Sequence, residues 1–174
     1  MNNNIFDFAA KELSQDAVIC WILNWLNDSG RKPPYFNLAA SLMDKMRIPY
    51  AASLKEGIRI RQQYKSIDIL VVIPEMHHVL LSEDKVYSTE HDDQLRRYKE
   101  ALKKLSQREL QELELTHPLL DDDITVVYFK TGFFYDYCDT MVANSDIVDA
   151  VVSGPDFEYI LSHFAGKKGT SGNL

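Results

Sequence analysis

Residues 66–85 read SIDILVVIPEMHHVLLSEDK: an aliphatic run broken by one carboxylate, a turn, then a second apolar run ending in alternating charge. Ile67 to Ile73 has the continuous apolarity of a strand covered on both faces. Pro74 to His78 turns the chain, and Val79 to Val86 returns as a second strand. Asp68 sits near the start of the first strand among residues that are otherwise apolar. A carboxylate there is costly unless it is paired or holds a metal. Glu83 and Lys85 lie two apart on the second strand, and a period of two puts both side chains on one face. The hairpin between the strands lets Asp68 reach that face, so two carboxylates and an ammonium are expected to converge.

Such a set suits phosphodiester chemistry. A hard cation such as Mg2+ takes oxygen ligands, one or two of them carboxylates. It polarises a phosphate and lowers the pKa of a coordinated water. A lysine beside it orients that water or offsets charge in the transition state. Taken alone, Glu83 and Lys85 would read as a solvated surface ion pair. Asp68 and the helix that follows weigh against that.

Working outward, residues 5–26 have helical spacing and are apolar nearly all round in their second half. Asn27 to Gly30 and Pro33-Pro34 end that helix. A shorter helix is expected from about 38 to 46, and Ile58 and Ile60 alternating with Arg59 and Arg61 read as a first strand. After the two central strands, Leu95, Tyr98, Leu102 and Leu105 mark a helix from Asp92, with Asp92 and Asp93 expected to cap it. A second helical piece follows at 110–115. Ile124 to Lys130 reads as a fourth strand, 146–152 as a fifth and 156–164 as a closing helix. The fold class expected is α/β: a central mixed β-sheet flanked by helices. Residues 1–165 are expected to form one domain, and 166–174 a flexible tail.

The pattern Asp68, fourteen intervening residues, Glu83-Asp84-Lys85 resembles the core of the PD-(D/E)XK nuclease superfamily. Gln94-Leu95-Arg96-Arg97-Tyr98 is similar to the QxxxY motif of its RecB-like members, and residues four apart share a helical face. Ile67 stands where a proline often precedes the aspartate. The resemblance covers roughly residues 5–130 and implies a restriction-endonuclease-like sheet. It also implies a Mg2+-dependent (or Mn2+-dependent) deoxyribonuclease that hydrolyses phosphodiester bonds through a metal-activated water. It assigns catalysis to Asp68, Glu83, Lys85, Gln94 and Tyr98. It assigns metal binding to Asp68, Glu83, the backbone carbonyl of Asp84 and, on the first helix, Glu12. Arg97, Arg59 and His91 lie near these motifs and are the candidates for substrate contact. The alternative is a nuclease-fold module with weak or no catalysis that binds nucleic acid or a protein.

Composition sets limits on partners. The net charge of -7 argues against a chain that coats nucleic acid by bulk charge, although a local basic track can still hold phosphates. Nucleic acid is the expected partner, DNA ahead of RNA, with a homodimer compatible. No apolar run is long enough to span a bilayer, and Met1-Asn2-Asn3-Asn4 lacks signal-peptide character, so a cytoplasmic protein is expected. Cys20 and Cys138 read as reduced thiols, and no Cys/His grouping resembles a zinc site. His77 and His78 are expected in an exposed turn, and Phe133, Phe134, Tyr135 and Tyr137 as packing residues.

Overall fold

The computed structural model describes residues 15–85, 93–131 and 141–166. Its centre is the pair of strands that the aliphatic runs encode, β2 (Ile67–Ile73) and β3 (His78–Lys85). They are antiparallel, with Ile69 opposite Ser82 and Ile73 opposite His78. The turn between them is a single 3-10 turn at Pro74–Met76, closed by His77 in a left-handed conformation (φ 50°). On the outer side, β1 (Arg59–Tyr64) pairs antiparallel with β2. Lys65 and Ser66 both have positive φ there, the requirement of a two-residue hairpin whose twist matches its strands.

On the other side, β4 (Ile124–Lys130) and β5 (Ala150–Ser153) add in parallel, giving a mixed sheet in the order β1-β2-β3-β4-β5. Parallel neighbours need a long crossover. The one between β3 and β4 carries α3 (Gln94–Lys103) and α4 (Gln107–Glu112). Leu95, Leu102, Leu105 and Leu110 cover the face made by Leu70, Val72, Val79, Leu81, Val126 and Tyr128. Helices α1 (Gln15–Leu23), α2 (Tyr35–Lys45) and α5 (Gly154–Gly166) cover the opposite face, where Ile19, Ile22, Leu42 and Met43 meet Ile69, Val71, Leu80, Phe129 and Val152. With both faces covered, β2, β4 and most of β3 are buried along their length, whereas the edge strand β1 alternates. Truncating a buried leucine such as Leu102 would cost about 2–5 kcal/mol.

Several sequence expectations need correction. Asp93 precedes α3 but makes no capping hydrogen bond through its side chain; its φ is 56°, and its carboxylate pairs with Arg96 instead. Helix α4 begins earlier than its leucines suggest, because Ser106 and Glu109 form a reciprocal capping box. It also ends earlier, since Glu114 turns left-handed (φ 58°). The fifth strand is shorter than 146–152, and the closing helix is longer than 156–164. His77 and His78 are partly buried rather than exposed. His77 packs on the His117 ring at 3.5 Å between centroids, and His78 is hydrogen-bonded to Thr125. The aromatic run at 133–137 and Cys138 lie outside the described residues. Among the described residues, no helix is long and apolar enough to cross a membrane.

Glu109 ties α4 to the β1–β2 turn. It accepts from the Ser106 amide and hydroxyl, and Lys65 lies 2.5 Å from its other oxygen. Lys65, followed by Ser106, holds its carboxyl down at about 2, against an ordinary 4.5. A depressed folded-state pKa contributes stability that is present above the unfolded value and lost as pH falls through the folded one. Glu109→Gln is therefore expected to lower the melting temperature at neutral pH and to flatten the acid limb between pH 4.5 and about 2. Parallel melting curves for the two proteins across that window would contradict it.

Candidate active site

The β2–β3 register explains why Asp68 and Glu83 meet. Extending the pairing one step past Ile69 and Ser82 sets Asp68 opposite Glu83. Both then share the sheet face that also carries Leu70 and Leu81 and that α3 covers. Lys85 follows on the same face by the period of two. The parallel register with β4 adds neighbours on the other flank, Tyr128 beside Glu83 and Lys130 beside Lys85. Tyr128 and Lys130 are fully buried. The site therefore sits at one end of the sheet, walled on one side by Tyr128.

Glu83 is only 1% exposed. Its Oε1 is 2.5 Å from the Lys85 Nζ; its buried Oε2 accepts from no donor among the described residues, and the carboxyl lies within hydrogen-bonding reach of the Asp68 carboxylate. Burial pushes its carboxyl up, against the pull of Lys85 and with help from the Asp68 carboxylate, to about 7. Burial would also lower the Lys85 ammonium, but Glu83 and Asp68 outweigh it, so the lysine holds its proton above the ordinary range. Asp68 is partly exposed and held from two sides: Gln63 Nε2 donates to Oδ1 at 3.0 Å, and the Asp84 amide donates to Oδ2 at 3.1 Å.

Helix α3 brings two more of the named residues in. Gln94 Nε2 donates to the Tyr98 hydroxyl one turn later, and Tyr98 lies close enough to Lys85 to act on its charge. Arg97, on the same helix, is exposed, and no ion pair is seen for it among the described residues. Arg59 stands further off in a bidentate pair with Glu114, at 2.6 and 2.8 Å. Glu12 and His91 lie outside the described residues.

Asp84 alternates to the opposite face. There Gln15 Nε2 donates to its carboxylate at 2.6 Å, and Asp16 is hydrogen-bonded to it. Thr131 in turn donates its hydroxyl to Gln15 Oε1. Burial first, then Asp16, pushes the Asp84 carboxyl up to about 9. Cys20 is a buried free thiol nearby, pushed up to about 12 by burial and by these two acids. The start of α1 is thus latched to the X position of the Glu-X-Lys motif, across the sheet from the convergent face.

Sequence reasoning passed over Gln63, Gln15, Asp16 and Lys130. Lys130 alone left a trace, as a charge closing an apolar strand. Gln15 and Asp16 act through contacts with segments far along the chain, and Gln63 through a left-handed backbone, none of which a local pattern encodes. The clefts of about 550 and 570 Å³ lie elsewhere, the first beside Lys45, Arg47 and Asp149, the second beside Arg31, Lys55 and Arg59.

The convergent face fits a hard divalent cation. Its donors are carboxylate oxygens, and the buried Oε2 of Glu83 accepts from no donor among the described residues. No group of three or more His, Cys, Asp or Glu side chains is arranged for a metal among the described residues. Two carboxylates completed by water and substrate oxygens form the usual Mg2+ arrangement.

Compared with known proteins, residues 3–125 match the family model of the PD-(D/E)XK nuclease superfamily. No curated protein and no solved structure matches the chain.

The Asp16–Asp84 pair has a cost that can be read without any cation. An acid whose folded-state pKa is raised loses stability as pH climbs above its unfolded value of 3.8 towards about 9. Asp84→Asn keeps an acceptor for Gln15 and supplies a permanent donor for Asp16. Measured in EDTA, this variant is expected to melt higher than the native protein at pH 7 and to lose less stability up to pH 9. An equal or lower melting temperature across that range would contradict the assignment.

Proposed function

Since the chain belongs to the PD-(D/E)XK nuclease superfamily, we propose that it is a metal-dependent nuclease that hydrolyses phosphodiester bonds, with DNA as substrate. The observation that carries this reading is Glu83: a buried carboxylate with one oxygen on Lys85, the other accepting from no donor among the described residues, and the Asp68 carboxylate beside it. Burying such a group is expensive unless a cation repays it.

In this proposal Asp68 and Glu83 hold the ion, Mg2+ or Mn2+, and the backbone carbonyl of Asp84 and Glu12 complete the protein's share. When bound, the ion neutralises phosphate charge and lowers the pKa of a coordinated water. Lys85 contributes charge. Its ammonium stays protonated beside two carboxylates, so it serves the attacking water and the phosphoryl oxygens as a donor, stabilising negative charge that grows on them. Tyr98, fixed by Gln94, orients that ammonium. Tyr128 keeps bulk water off Glu83, which strengthens each of these interactions.

Substrate phosphates need cations outside this cluster. Arg97 is our first choice, one residue before Tyr98 and exposed. Arg59 can join only by exchanging Glu114 for a phosphate, and we include His91, which directly precedes the α3 region. DNA is chosen over RNA because members of the superfamily mostly cut DNA.

Plasmid and single-stranded DNA, with RNA alongside, should be incubated with the protein in Mg2+, Mn2+ or EDTA. Cleavage of DNA is expected with either cation and none in EDTA. Lys85→Ala should lower the rate by about 10²–10⁴-fold while leaving the circular dichroism spectrum unchanged. Equal cleavage by the native protein and this variant, or cleavage in EDTA, would sink the catalytic reading.

A further inference from the structure

Strand β1 contains an irregularity that its turn does not need. The hairpin is closed by Lys65 and Ser66, whose positive φ values meet the requirement of a two-residue turn. Gln63, two residues before it, also has a positive φ of 53°. The ladder pairs Gln62 with Ile69 and Tyr64 with Ile67, and Gln63 lies between them, across from Asp68. Left-handed backbone is the territory of glycine and, less often, asparagine. A glutamine there carries strain that surrounding contacts must hold in place.

What the strained residue does is specific. Its amide Nε2 donates to Asp68 Oδ1 at 3.0 Å. The other oxygen of Asp68 accepts from the Asp84 amide, on the opposite neighbouring strand, at 3.1 Å. The carboxylate is thus clamped between β1 and β3 by one donor on each oxygen. Each oxygen keeps a second lone pair, and the buried Glu83 carboxyl stands within hydrogen-bonding reach beside it.

We propose that Gln63 is a positioning residue: its left-handed backbone aims the amide at Asp68 and so fixes the carboxylate as a ligand for a divalent cation shared with Glu83. This rests on the reading above that Asp68 and Glu83 hold that cation. Outer partners of ligating carboxylates fix their orientation and tune affinity. Gln63 touches neither the cation nor the substrate and acts only through Asp68.

Stability and cation affinity should therefore separate. Gln63→Gly removes the amide and accommodates the positive φ. Gln63→Met keeps the length of the side chain and removes its amide group. Mn2+ binding is measured by calorimetry on the native protein, both variants and Glu83→Gln, with thermal melts of each in EDTA. Native-like melting of Gln63→Gly or Gln63→Met together with a Kd for Mn2+ raised by about 10–100-fold is expected, with Glu83→Gln also weakened. If Glu83→Gln weakens binding while both folded Gln63 variants keep the native Kd, Gln63 is a hairpin residue only and the proposal falls. If Glu83→Gln binds Mn2+ as the native protein does, the cation reading itself fails, and this inference with it.

Discussion

The antiparallel register between β2 and β3 governs the rest of the molecule. A slip of one residue would turn every side chain of one strand to the other face. Asp68 would then leave Glu83 and enter the layer packed on α1 and α2. Two-sided burial enforces the register: Ile69, Val71 and Leu80 belong to one apolar layer, and Leu70, Val72, Val79 and Leu81 to the other. The same packing that specifies the fold thus carries Glu83 into a place where a carboxylate is unwelcome. The large core offsets that local cost, and the chemistry proposed for the site uses it.

The two faces of β3 separate two kinds of acid. On one, Asp68 and Glu83 converge with Lys85, and one buried oxygen accepts from no donor among the described residues. On the other, Asp84 is hydrogen-bonded by Gln15 and Asp16 and raised well above the ordinary carboxylate range. The first arrangement is open to a ligand. The second latches the start of α1 to the sheet, and through Gln15 it reaches Thr131 at the end of β4. Gly154 belongs to the same junction. A Cβ there would lie 2.4 Å from the Thr131 carbonyl oxygen, so the close approach of α5 to the end of β4 requires glycine.

Fold and family were legible because both rest on local pattern. Continuous aliphatic runs marked β2, β3 and β4 as covered strands. Asp68, Glu83 and Lys85 stood out as charges at places where such strands do not tolerate them without a reason. Less of the supporting geometry was legible. The positive φ of Gln63 leaves no trace in composition, and its hydrogen bond to Asp68 reaches across to the neighbouring strand. The Thr131–Gln15 and Arg59–Glu114 contacts join segments far apart in the chain. Arg59 illustrates the difficulty well: its nearness in sequence to the motif suggested phosphate binding, yet its side chain lies along a neighbouring glutamate. Asp93 looked like a helix cap by type and position, but its left-handed backbone gives its side chain other work.

The central claim is that Asp68 and Glu83 together form a cation site, and paramagnetic broadening tests it directly. Mn2+ titrated into isotopically labelled protein broadens amide signals near the ion. Signals of Asp68, Glu83, Asp84 and Lys85 are expected to disappear first, and excess Mg2+ to restore them. Broadening centred on another acidic stretch, such as Asp121 to Asp123, with the Asp68 and Glu83 signals intact, would contradict it.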